Sequence, residues 1–100
     1  RFDEAYEDIS KAIAIDSTVA MCYVTRGEIY KARKEYLDAI SDFGYALSLD
    51  VNTIEAYIQR AECYRVLAGI EQNMRKRSEY LSMAEADEKK CESLKIAADK

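Results

Sequence analysis

The feature that most constrains this chain is its likeness to itself. Shifted by 34 residues, it sets Phe2 on Tyr36, Ala5 on Ala39, Ile9 on Phe43, Ala12 on Ala46, Ile13 on Leu47, Ile15 on Leu49 and Asp16 on Asp50. Further along, the same shift sets Tyr23 on Tyr57, Val24 on Ile58, Arg26 on Arg60, Gly27 on Ala61, Glu28 on Glu62 and Tyr30 on Tyr64. Size and polarity are kept through two successive windows, so chance is a poor explanation. A unit of this length buries its apolar face only by stacking on its neighbours.

Each unit holds two helical periodicities. Tyr23, Gly27 and Tyr30, then Tyr36, Ala39, Ile40, Phe43, Ala46 and Leu47, recur at steps of three and four, which places each set on one helix face. With no proline and only three glycines, the chain has few residues that oppose helix. The break between the two helices is expected near Arg33 to Glu35, and the next after Asp50. There Asn52 or Thr53 is placed to cap, with Glu55 three residues beyond Asn52; Ser17 and Thr18 are the counterparts one unit earlier.

On these residues the chain resembles a tetratricopeptide repeat array. Of the family pattern, an aromatic, a Leu-Gly pair, a Tyr, then Ala, Phe and a closing Pro over about 34 residues, the chain has Tyr23, Gly27, Tyr30, Ala39 and Phe43, and more weakly Tyr57, Ala61 and Tyr64 in the next unit. Arg26 and Arg60 depart from it where Leu is usual, Lys34 where Gly is frequent, and Val51 where Pro is; the arginine stems are expected to cover apolar surface with their heads in water. The resemblance implies an all-α fold of antiparallel helix-turn-helix repeats stacked as a right-handed α-solenoid, with a C-terminal capping helix. It is strong from about residue 1 to 67 and fades afterward.

The expected division of this single domain is the second helix of a truncated repeat over 1–16, a full repeat over 18–50, a divergent repeat over 53–84 and a capping helix over 87–98. In the divergent repeat a strict 34-residue count puts Asn73 on the small position and Arg77 on the aromatic one, though Ile70, Met74 and Leu81 keep an apolar line. The C-terminal segment keeps a thin apolar line in Leu81, Ala84, Cys91, Leu94 and Ala98. With no Gly or Pro from Glu71 onward, one continuous helix is the alternative. Ala5, Ile9 and Ala12 are expected to lack a neighbour on one side, and self-association through this edge is one expected consequence.

Composition narrows the function. At 100 residues, 49% hydrophobic and 34% charged, the chain reads as one ordinary globular domain, and its net charge of −4 argues against a general hold on nucleic acid. The basic run Arg75-Lys76-Arg77 is the one candidate phosphate contact, but its residues point in three directions around a helix, so a solvated face is the better reading. No apolar run is long enough to cross a bilayer. Cys22, Cys63 and Cys91 form no C-x-x-C pair and fit reduced thiols of a cytoplasmic protein, with the nucleus as the alternative. There is no histidine to serve as general base or metal ligand and no glycine-rich phosphate loop, so neither an enzyme nor a metal or cofactor is expected. The carboxylates read as paired along helices, as Glu85 with Lys89.

What the family resemblance implies is a concave groove lined by the first helix of each unit, where a partner peptide or helix binds. Carried over position by position, the lining is Met21, Val24, Thr25, Glu28 and Lys31 from one unit and Glu55, Ile58, Gln59, Glu62 and Arg65 from the next. Family members that clamp the acidic C-terminal tails of chaperones use Lys, Asn and Arg there. Here Thr25 replaces Asn, and Glu55 and Gln59 replace Lys and Arg, which argues against such a clamp. The expected partner is a peptide of basic and apolar character.

Overall fold

The computed structural model describes residues 2–99; Arg1 and Lys100, which the repeat count puts at the two ends of the domain, lie outside them. Five helices follow in order: α1 (Phe2–Ile15), α2 (Ala20–Ala32), α3 (Tyr36–Leu49), α4 (Ile54–Ile70) and α5 (Met74–Ala98). The described residues contain no strand, and the chain is all-α. Residues 33–35 and 71–73 are the only links within the α2/α3 and α4/α5 pairs. Links so short reverse the chain and lay the two helices side by side. Those two pairs make the most extensive contacts, and α1 on α2, α3 on α4 and α2 on α4 complete the packing. The molecule measures 41 × 39 × 19 Å, so its short dimension is about two helix diameters.

The expected breaks are where the helices end. After α2 the Lys34 N–H bonds to the Lys31 carbonyl and the Glu35 N–H reaches back to that of Tyr30, the paired bonds that close a helix through one left-handed residue. Lys34 is that residue, with φ of 65°. The turns before α2 and α4 are built alike. Asp16 accepts from the Thr18 N–H and hydroxyl, and Asp50 from the Asn52 N–H. The Tyr23 hydroxyl donates to the Ser17 carbonyl and the Tyr57 hydroxyl to the Val51 carbonyl, both at 3.0 Å. The expected side-chain caps from Ser17, Thr18, Asn52 and Thr53 do not form, because Val19 and Thr53 occupy the N-cap positions without a side-chain bond and the aspartates order the turn instead.

Between α2 and α3 the repeat positions meet as a tight fit. Val24, Ala39, Phe43 and Ala46 are completely buried, and a Cβ on Gly27 would lie 2.5 Å from Phe43 Cε1. Glycine at 27 is therefore required by the ring opposite. Cys63 and Cys91 also belong to the core, and burial pushes the Cys63 thiol up to about 11.

The C-terminal third departs from the expected division. Helix α5 runs unbroken from Met74 to Ala98, so the separate capping helix over 87–98 is the continuation of one helix. Its register is displaced as well. Asn73 does not take the small position; it caps α5 by accepting from the Lys76 N–H, while Arg77 is exposed and donates to the Glu71 carbonyl. The buried residues of α5 are Ala84, Asp87 and Cys91, which reproduce Ala39, Asp42 and Ala46 at an interval of 45 residues. The surplus of eleven over the 34-residue count is close to three helical turns. Four of the eleven lengthen α4 relative to α2, and seven precede Ala84 in α5 relative to Ala39 in α3. In the displaced register Glu88 stands where α3 has Phe43, which fits Ala61, rather than glycine, in α4.

Candidate functional site

The buried aspartates reveal the chain's principal polar device. Arg26 of α2 donates through Nε and Nη2 to the two carboxylate oxygens of Asp42 on α3, at 2.7 and 2.9 Å. Arg60 of α4 repeats the fork on Asp87 of α5, at 2.9 and 2.8 Å. Each arginine is held firmly protonated, first by this hydrogen bonding to its carboxylate. The guanidinium heads are thus not simply solvated, as the sequence suggests, but fasten each helix pair. The local pairing expected along helices is not what the described residues show: four of the five salt bridges join different helices, and the fifth, Arg33 with Glu35, lies in a turn.

With Arg26 and Arg60 turned toward the second helices, the opposite surfaces of α2 and α4 lie next to each other. Lys31 joins them, donating through Nζ to the side-chain oxygen of Gln59 at 2.8 Å and to Glu62. Gln59 in turn donates to Glu55 at 2.8 Å. Glu28, Lys31, Glu55, Ile58 and Gln59 are half-buried here, and Met21, Thr25 and Glu62 are exposed. Glu28, Lys31, Glu55, Gln59 and Glu62 are thus brought close to one another.

Two expected members are not part of it as free groups. Val24 has no exposed surface and belongs to the core, because α2 is covered by α1, α3 and α4 at once. Arg65 is exposed but turned to α5, where it forms a two-pronged pair with Glu88 at 2.6 and 2.7 Å.

The electrostatics of the face are uneven. Lys31 is engaged by Gln59 and Glu62, whereas Glu28 makes no salt bridge among the described residues. Burial, and then the charge of Glu55, raise the Glu28 carboxyl above its ordinary value, with Lys31 only partly opposing them. Two carboxylates therefore lie near each other on a partly desolvated surface, where a cation would relieve the cost.

A concavity of about 690 Å³ lies at the helix ends, away from this face, walled by Lys34, Tyr36, Leu37, Val66 and Ile70. Sequence reasoning did not single it out; exposed Leu37 and Ile70 were its only signal. Among the described residues no cluster of Cys, Asp or Glu is arranged to hold a metal ion, and no helix is long and apolar enough to cross a membrane. Compared with known protein families, curated proteins and solved structures, the chain matches none.

Proposed function

We propose that this chain is a tetratricopeptide-like repeat module, a non-catalytic scaffold that binds a partner peptide of basic and apolar character on the α2/α4 face. Its helix pairs stack in the solenoid manner of that family, and the face is the concave one. The observation that carries the reading is the Glu28 carboxyl. It is half-buried, repelled by Glu55 and without an ion-pair partner among the described residues, with apolar Met21 two turns before it on α2 and Ile58 one turn after Glu55 on α4. A Lys or Arg of a bound peptide supplies the missing counter-charge while neighbouring apolar side chains cover Met21 and Ile58.

The absence of histidine and of an activated nucleophile supports a binding role over catalysis. Cys63, the most deeply buried thiol, has its pKa pushed away from thiolate formation. Nucleic acid fits less well, since Arg77 is committed to the α4/α5 turn and the proposed face is acidic.

A peptide-display selection tests the reading. The wild-type chain enriches peptides in which Lys or Arg stands near apolar residues, and Glu28→Gln/Glu55→Gln, which keeps the shape of both side chains, loses that enrichment. Selection of acidic peptides, or the same basic peptides enriched by both proteins, would refute it.

A further inference from the structure

We propose that the concavity between the α2/α3 turn and the end of α4 is the contact face of a two-fold dimer, in which Lys34 of each copy meets Asp38 of the other. In the 34-residue register Val66 of α4 stands on Ala32, the last residue of α2, so Leu67 to Ile70 form one additional turn. That turn lengthens α4 by about 6 Å. Across the concavity it faces Lys34 of the α2/α3 turn and Tyr36, Leu37 and Asp38 at the start of α3. Both walls belong to the middle of the chain, where α3 already packs on α2 and α4, and α4 on α5. The opening is therefore made by the added turn and not by a missing neighbouring unit.

Its walls are apolar and exposed. Leu37 on the α3 side and Ile70 on the α4 side keep 65% and 69% of their surface, and Val66 keeps 37%. A pocket for a small molecule buries most of its ligand between enclosing walls, whereas walls this open would leave such a ligand largely in water. Exposed aliphatic side chains grouped around a furrow suit a protein surface instead.

The charges point to a second copy as that surface. Glu35 is tied to Arg33 at 3.2 Å. Lys34 and Asp38 are exposed and make no salt bridge among the described residues. A wholly basic or wholly acidic partner would answer one of them and oppose the other. A two-fold axis answers both, because it brings residue i of one copy to residue j of the other and j to i. The same rotation lays Leu37 and Ile70 of each copy over the other's concavity. The patch is small, so the dimer is weak and reversible.

Sedimentation equilibrium of the chain from micromolar to millimolar concentration tests the proposal, with each variant's fold checked by circular dichroism. Wild type should show a reversible monomer-dimer equilibrium, and Ile70→Asp, at an exposed position that leaves Tm unchanged, should be monomeric throughout. Lys34→Glu and Asp38→Lys should each weaken the dimer about tenfold or more, since the symmetry presents every reversed pair twice. Mixed in equal amounts, these two variants should form a heterodimer as tight as wild type, and so should the double variant Lys34→Glu/Asp38→Lys with itself. Loss of stability cannot imitate that recovery. The proposal is overturned if wild type stays monomeric at millimolar concentration, or if its dimer survives Ile70→Asp. It is also overturned if the mixture associates no more tightly than either variant alone, because Lys34 and Asp38 would then not face each other across the contact.

Discussion

Replacing Gly27 with alanine should destabilise the fold even though alanine is the better helix former. The added Cβ would stand 2.5, 2.8 and 2.9 Å from Cε1, Cδ1 and Cζ of Phe43, against about 3.5 to 4.0 Å for an unstrained carbon contact. The ring must retreat by about 1 Å, and Phe43 has no exposed surface into which to move. Overpacking of this kind costs about 1 to 3 kcal/mol, and the closeness of the contact places it at the upper end. The gain in helix propensity offsets about 1 kcal/mol. The expected net loss is about 2 kcal/mol, which lowers Tm by about 8 to 16 °C in a domain of this size.

Gly69→Ala is the internal control, since nothing lies within 4 Å of its Cβ; it should raise stability by up to about 1 kcal/mol. In a Phe43→Leu background, Gly27→Ala should cost far less than in wild type, giving a clear coupling term in the double-mutant cycle. Thermal and urea denaturation by circular dichroism measure all of these proteins. A Gly27→Ala variant as stable as wild type, or one whose cost is the same with and without the ring, would refute the reasoning.

Three other perturbations follow from the same geometry. Lys34→Gly removes the strain of a side chain at φ of 65° and should stabilise by about 0.5 to 1 kcal/mol in urea denaturation, whereas Lys34→Val should destabilise. Asp87→Ala orphans Arg60 in a part-buried site and should cost about 3 kcal/mol, while Glu88→Ala, which breaks a pair exposed on both sides, should cost only a small fraction of that loss by the same assay. Glu28→Gln should raise Tm at pH 7. The folded-state pKa of Glu28 lies above its ordinary value, so the charged form is disfavoured in the fold. Wild type recovers that stability as pH falls through the raised value, and the difference between the two proteins should vanish once the carboxyl is protonated in both folded and unfolded states.

The parts of the fold that were legible in the sequence are those where the repeat is strict. Tyr23 and Tyr57, and Asp16 and Asp50, recur at one spacing and mark the turns, and Gly27 and Phe43 stand at the small and aromatic positions that mark the close contact. The third unit was hidden by its displacement. EYLDAISD at 35–42 returns as EYLSMAEAD at 79–87, with one extra residue inside it, so a count fixed at 34 passes over it. Asp42 and Asp87 were missed because their arginines lie 16 and 27 residues away, beyond any helical period. The recurrence of Arg with a buried Asp was the available signal. Val24 was misplaced because a helix enclosed by three others buries more than one stripe, and its periodicity then no longer separates core from surface.

The most direct test of the α2/α4 face is a heteronuclear NMR titration of the chain with a short peptide of alternating Lys and Leu. The account predicts that the largest amide shifts fall on Met21, Glu28, Glu55 and Ile58, and that they shrink in Glu28→Gln/Glu55→Gln. Shifts confined to the concavity walled by Leu37, Val66 and Ile70, or unchanged in that variant, would contradict it.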